Sequence, residues 1–175
     1  MKLQINDSYY ISEIVPSDKD AYLLHFKEKQ IYDQTCTIPY PYTPAHADEW
    51  IARVTAETKR LGRNIDWAIR NKNGELIGAI GFHGFELGKS HKAEIGYWLA
   101  KPYWNKGIMT ETVKVVCDYS FCEFGLQRIT AHIFGFNAGS ARVAEKAGFQ
   151  LEGILRSHYK KDGKIFDGSF EGDMA

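Results

Sequence analysis

Between Ala93 and Phe134 the apolar pattern changes period twice, and this limits the fold more than any other feature of the chain. Residues 93–99 alternate as a strand. After Pro102, Val113, Val116, Cys117, Ser120 and Phe124 recur on one face of a helix that ends near Gly125, and Arg128–Phe134 alternates again. A strand, a helix and a second strand in that order make a crossover, which returns the chain to its sheet and lays a helix on the sheet's face.

The remaining periodicities extend this frame. Residues 9–14 alternate as a strand, and Ser17 or Asp18 can cap a helix running to about Tyr32. Thr37-Ile-Pro-Tyr-Pro-Tyr-Thr43 then breaks regular structure. Thr43 and Pro44 read as cap and first position of a second helix, on which Ala47, Trp50, Ile51, Val54 and Leu61 keep helical spacing up to Gly62. Strand-like runs at 66–70 and 75–85 join at Asn73-Gly74, a hairpin signal. Asn137 caps a short helix that Gly148 ends, residues 149–159 read as a strand, and a short, weak last strand follows the turn at Asp162-Gly163. The order β-α-α-β-β-β-α-β-α-β-β predicts an α/β (α+β) fold with a mixed central sheet of about seven strands and four flanking helices.

A chain of 175 residues buries a sizeable core without dividing, so one domain over residues 1–175 is expected. Lys and Arg together number 22, as do Asp and Glu. With no net charge and no basic run, the composition gives no electrostatic footprint for nucleic acid. No apolar stretch approaches the roughly 20 residues of a membrane span, and residues 1–10 carry no secretory pattern, so a cytoplasmic location is expected. Cys36, Cys117 and Cys122 lack metal-site spacing and are expected to be buried reduced thiols. No metal is predicted.

Two segments carry chemistry. Glu94-Ile-Gly-Tyr-Trp-Leu99 followed by Lys101-Pro-Tyr-Trp-Asn-Lys-Gly-Ile-Met-Thr-Glu111 reads as strand, glycine-bearing loop and long helix. Unpaired N–H groups at such a helix start suit phosphate oxygens, Lys106 adds a charge, and Gly107 permits close approach of a ligand. An ordinary turn has the same appearance. Asn137-Ala-Gly-Ser140 is either a helix cap alone or a cap that also meets an elongated ligand.

Taken in order with Lys146-Ala-Gly-Phe149 and Leu151-Glu-Gly-Ile-Leu-Arg156, these segments resemble the GNAT superfamily of N-acetyltransferases, and within it the RimJ/RimL-like branch that acetylates ribosomal-protein N-termini. The resemblance implies the GNAT fold, acetyl-CoA as co-substrate without a metal, and direct transfer of acetyl to a primary amine. By position it implies that the edge at Tyr97, Trp98 and Leu99 pairs with the pantetheine arm. Trp104, Asn105, Lys106, Gly107, Ile108, Met109 and Thr110 would hold the CoA pyrophosphate through backbone amides, with Trp104 and Met109 departing from the usual motif. Asn137 would contact pantetheine, and Ser140 would be the general acid.

The reaction needs a proton acceptor for the amine, and Glu94, on the strand beside the implied CoA site, is the candidate base, with His83 and Tyr159 as alternatives. The amine is expected to be a protein or peptide N-terminus; a small amine such as an amino acid, polyamine or aminoglycoside, or a non-catalytic acyl-CoA sensor, are the competing readings. The Ile38 to Tyr42 segment, Trp50 and Phe85 either shape the acceptor pocket or fill the core. Expected partners are acetyl-CoA and the amine, with no nucleic acid and no membrane; a homodimer is compatible with this reading.

Overall fold

A computed structural model describes residues 2–175; Met1, the first residue of the expected domain, lies outside the described residues. The strands are β1 (Lys2–Asn6), β2 (Tyr9–Ser12), β3 (Asp66–Asn71), β4 (Leu76–His83), β5 (Lys92–Leu99), β6 (Arg128–Phe134), β7 (Gln150–Lys161) and β8 (Lys164–Met174). The helices are α1 (Lys19–His25), α2 (Lys29–Asp33), α3 (Pro44–Leu61), α4 (Ile108–Phe124) and α5 (Ala138–Ala147). The strands form one mixed sheet in the order β1-β2-β3-β4-β5-β6-β8-β7. β1 to β4 pair antiparallel, β5 and β6 run parallel as the crossover requires, and β8 lies antiparallel between β6 and β7.

The local signals explain the helix ends. At α3 the Thr43 hydroxyl accepts the His46 N–H while His46 Nδ1 accepts that of Thr43, a reciprocal cap, and Gly62 ends the helix at φ 70°. At α5 Asn137 Oδ1 accepts the Ser140 N–H at 3.1 Å, and Gly148 at φ 110° closes the helix.

The structure departs from the sequence expectations at four places. The single helix expected to reach Tyr32 is two, because Glu28 takes an extended backbone and its carboxylate caps α2 at the Gln30 N–H. An eighth strand, β1, pairs with β2 through a turn in which Asn6 Oδ1 accepts the N–H groups of Ser8 and Tyr9. The last strand is not short: β8 has 11 residues. Its glycines lie under neighbouring side chains, and a Cβ at Gly168 would come within 2.6 Å of the Tyr159 ring. Only Cys117 is buried, whereas Cys36 and Cys122 are exposed.

Contacts group the chain into two compact units, one of residues up to Gly81 with Tyr97–Ile108, the other Phe82–Gly96 with Met109–Ala175. In the first, α1, α2 and α3 bury Tyr22, Phe26, Ile31, Ile51 and Val54 against Ala68 and Leu76 of the sheet. Arg70 is also buried there, and all five of its donor hydrogens are engaged: two by Asp18 (2.7 and 2.8 Å), the others by Ser12 Oγ and the carbonyls of Glu13 and Gly74. Asp18, expected as a candidate helix cap, does occupy the N-cap position of α1, but its carboxylate makes no cap bond there: it accepts the Val15 N–H and serves as the counter-ion of Arg70. In the second unit, Val113, Val116 and Cys117 of α4 and Ala144 of α5 are buried with Ile129, Ala131 and Ile133 of β6.

Asp66 gives a pH prediction. Its carboxylate occupies the space beside Gly81, where a Cβ would lie 2.0 Å from Oδ1. Burial pushes its pKa up to about 6, Arg53 opposing and Glu57 adding to the shift. A folded-state pKa above the unfolded one favours the protonated acid, so stability declines as pH rises from about 4 through about 6. Asp66→Asn is therefore expected to stabilise the protein by about 1–3 kcal/mol at pH 7 and by almost nothing below pH ~4. Urea unfolding at the two pH values checks this; equal gains at both would remove the ionisation as the cause.

Candidate active site

β5 passes through both units, with Glu94 in the second and Tyr97 to Leu99 in the first. In the first unit the Trp98 ring packs on Phe26 at 4.5 Å and Tyr22 at 5.7 Å, so this side chain belongs to the core. The Trp104 indole N–H donates to the Leu99 carbonyl at 2.6 Å and so engages one acceptor of the edge that the sequence reading gives to pantetheine. The loop that follows holds two left-handed residues, Asn105 at φ 59° and Gly107 at φ 76°. Asn105, Lys106 and Gly107 are exposed, while Ile108 and Met109 are buried and Thr110 half-buried. Ile108 and Met109 thus direct their side chains inward, and backbone amides are what these two positions offer a ligand. Alternating left-handed residues of this kind turn successive N–H groups into a concavity suited to anions.

Gly107 is required by its backbone: a Cβ there would meet nothing within 4 Å, yet φ 76° disfavours any other residue, most of all a β-branched one. On the expectation that this loop holds the CoA pyrophosphate, Gly107→Val should weaken acetyl-CoA binding at least about tenfold, because it would re-aim the loop's amides. Calorimetry is the check, and an unaltered affinity would remove the loop from the binding site.

In the second unit Ala93 and Ile95 face the interior, and Glu94 and Gly96 alternate to the other side of β5. Glu94 Oε2 lies 2.9 Å from His132 Nδ1 on β6. The Glu94 side chain is 39% exposed and that of His132 27%, so this carboxylate touches the imidazole and is still open to solvent. The His132 ring stacks on Phe170 of β8 at 4.8 Å and lies 5.8 Å from the His158 ring of β7. A bulge in β7, with Ser157 at φ 50° and its N–H bound to Asp167, sets the placing of His158 and Tyr159. His83, the first alternative base, lies over Gly96, where a Cβ would meet its Nε2 at 2.7 Å. Tyr159, the second, packs its ring on Phe134 at 4.3 Å. The structure thus brings Glu94 together with His132, and Asn137 with Ser140, which is half-buried.

Sequence reasoning missed His132, His158 and Phe170. The alternation of Arg128–Phe134 marks His132 as a face residue, but the β5–β6 register that pairs Glu94 with Thr130, and so sets His132 diagonally beside it, is a long-range property. The acceptor-pocket candidates resolve mostly toward packing. Phe85 is buried between Phe82 and Phe124, Ile38 and Tyr42 pack against the core, and Trp50 donates to the Tyr22 hydroxyl. Tyr40 remains exposed, against Tyr32. Cys117 is no nucleophile, since burial pushes its thiol pKa well up. Among the described residues no group of three or more His, Cys, Asp or Glu side chains is arranged to hold a metal, and no helix is long and apolar enough to cross a membrane.

The acetyltransferase (GNAT) domain family matches residues 10–150, and the chain belongs to that family. It is 42% identical over 106 residues to the uncharacterized N-acetyltransferase YoaA of Bacillus subtilis, a match covering 60% of this chain and 59% of that protein. It is 36% identical over 86 residues to the ribosomal-protein-serine acetyltransferase of Escherichia coli, covering 49% and 47%. The chain therefore spans between about half and three-fifths of the length of these curated relatives. Its fold is similar to that of RimL, a ribosomal L7/L12 α-N-protein acetyltransferase solved with coenzyme A, at TM-score 0.88 and 17% identity over 99% of this chain and 98% of that one.

Proposed function

We propose that this protein transfers the acetyl group of acetyl-CoA directly to a primary amine, and that the amine is a protein or peptide N-terminal α-amine. The observation that carries the reading is the Glu94 carboxylate, accessible on β5 and held by His132, in a chain of the GNAT family. Relatives named as ribosomal-protein acetyltransferases support an N-terminal acceptor.

An α-amine, with a pKa near 8, loses its proton more readily than a lysine side chain and so demands less of a carboxylate base. In the proposed reaction Glu94 takes a proton from the amine, directly or through one water, as the nitrogen attacks the thioester carbon. The C–S bond then breaks, Ser140 gives its hydroxyl proton to the departing thiolate, and the serine oxygen is reprotonated from solvent. No bond to the enzyme forms. The amides of residues 104–110 hold the pyrophosphate, helped by the charge of Lys106, the edge at residues 97–99 pairs with the pantetheine arm, and Asn137 contacts that arm. The location implied is cytoplasmic.

Ser140→Ala is expected to lower kcat about 10-fold or more while leaving acetyl-CoA affinity within about 2-fold, since the hydroxyl acts only as the thiolate leaves. Unchanged kcat would remove Ser140 from the mechanism. The acceptor itself is tested by thiol release from acetyl-CoA with a panel of free-N-terminus peptides, amino acids, polyamines and aminoglycosides. Peptides are expected to turn over fastest. Faster turnover of a small amine would replace the acceptor, and tight acetyl-CoA binding without turnover on any amine would make the protein a sensor.

A further inference from the structure

Resting on the reading of Glu94 as the base, we propose that His132 is the positioning residue that fixes its carboxylate, through the close Nδ1–Oε2 contact and an imidazole held beside Phe170 of β8 and His158 of β7. Glu94 pairs with Thr130 across the parallel β5–β6 ladder, so His132, two residues on, projects from the same face and reaches Glu94 diagonally. Nδ1 and Oε2 are in ion-pair contact at 2.9 Å, and across such a contact only the imidazole nitrogen can carry the donated proton. An acceptor-only carboxylate leaves His132 one useful arrangement, with the proton on Nδ1.

The ring has little freedom to leave that arrangement. His132 stands opposite Phe170 in the β6–β8 pairing, and the two rings stack at 4.8 Å with 25° between their planes. The His158 ring lies 5.8 Å away, on the bulged stretch of β7 where Ser157 is left-handed and tied to Asp167. Bulges re-aim side chains, and this one sets a second imidazole beside the first. A solvent-exposed Glu side chain has many rotamers of similar energy. A donor fixed by its own neighbours selects among them and holds one carboxylate oxygen, leaving the other for the incoming amine.

The test uses a chemical distinction between substitutes. Asn places an amide N–H near the position of Nδ1, Gln places one near Nε2, and Phe places none. With acetyl-CoA and the fastest amine of the panel, His132→Asn is expected to keep kcat within about 3-fold, whereas His132→Gln and His132→Phe lower it about 10- to 100-fold. The KM for acetyl-CoA is expected to stay within about 2-fold in all three. In a Glu94→Gln background the His132→Phe change is expected to add almost nothing, because the two residues act as a unit. Wild-type kcat in both the Gln and Phe variants, or a loss as large without Glu94 as with it, would overturn the proposal. Should the Phe variant fail to fold, the Asn and Gln pair decides alone. The reading beneath it fails differently: Glu94→Gln with full turnover, or no turnover by the wild type on any amine, removes Glu94 as base and His132's role with it.

Discussion

Replacing Glu94 with Gln is expected to lower kcat by about 10²- to 10⁴-fold, with acetyl-CoA affinity almost unchanged. The amide keeps the size of the side chain and can still accept from His132 Nδ1, so the local geometry survives and only the proton-accepting capacity is lost. Glu94 projects from β5 away from the buried row of Ala93 and Ile95, so the change leaves the core intact and the melting temperature should scarcely move. Steady-state kinetics with a peptide acceptor, paired with calorimetry on acetyl-CoA, separates the two effects. A fall of less than about 3-fold would transfer the role of base to another group, and His83, over Gly96 on the neighbouring strand, is the first to examine.

Arg70→Leu is expected to destabilise the protein by about 3–5 kcal/mol, a large part of the stability of an ordinary domain. Arg70 and Asp18 have side chains only 9% and 5% exposed and meet in a two-bonded, fork-like pair. Removing the guanidinium leaves the Asp18 carboxylate buried with the Val15 N–H as its remaining donor. It also strips the carbonyls of Glu13 and Gly74 and the Ser12 hydroxyl of a donor. Asp18→Asn is expected to cost less only because Arg70 keeps its bonds to Ser12, Glu13 and Gly74; the amide NH2 must still face donors that the carboxylate accepted from. Urea unfolding at neutral pH measures both. Similar small losses in the two variants would show the pair to be solvated rather than buried.

How much was legible in the sequence follows the range of the interactions involved. The ends of α3 and α5 were written locally, in Thr43-Pro44 with Gly62 and in Asn137 with Gly148, because caps and left-handed terminators act within one helical turn. The crossover from β5 through α4 to β6 was legible for a similar reason, each element being long enough to show its period. The division of α1 from α2 was not, since Glu28 caps a helix without a Gly or Pro to announce the break. β8 was under-read because Gly168 and Gly172 suggest a loop, and their use in the sheet is evident only once Tyr159 and Glu152 are seen occupying the space beside them.

The same limit applies to the candidate site. The loop residues and Asn137 stood out because their types and spacing carry the resemblance, and the left-handed backbone at Asn105 and Gly107 supplies a conformational reason for that sequence. Glu94 could be singled out from its strand, but its partner could not, because His132 reaches it only through the β5–β6 register. A related reason hid the ion pair of Asp18. Its position before a helix suggested a cap, while its carboxylate is claimed by Arg70, 52 residues away in sequence.

The central claim is direct acetyl transfer to an amine, and the most direct test follows the acetyl carbon itself. Acetyl-CoA labelled in the acetyl group would be incubated with the protein and an unblocked peptide, and the label located by mass spectrometry after quenching. Label on the peptide α-amine, in step with thiol release and with none retained on the protein, is the predicted result. Label appearing as free acetate, or bound to a cysteine of the enzyme before it reaches the peptide, would contradict it.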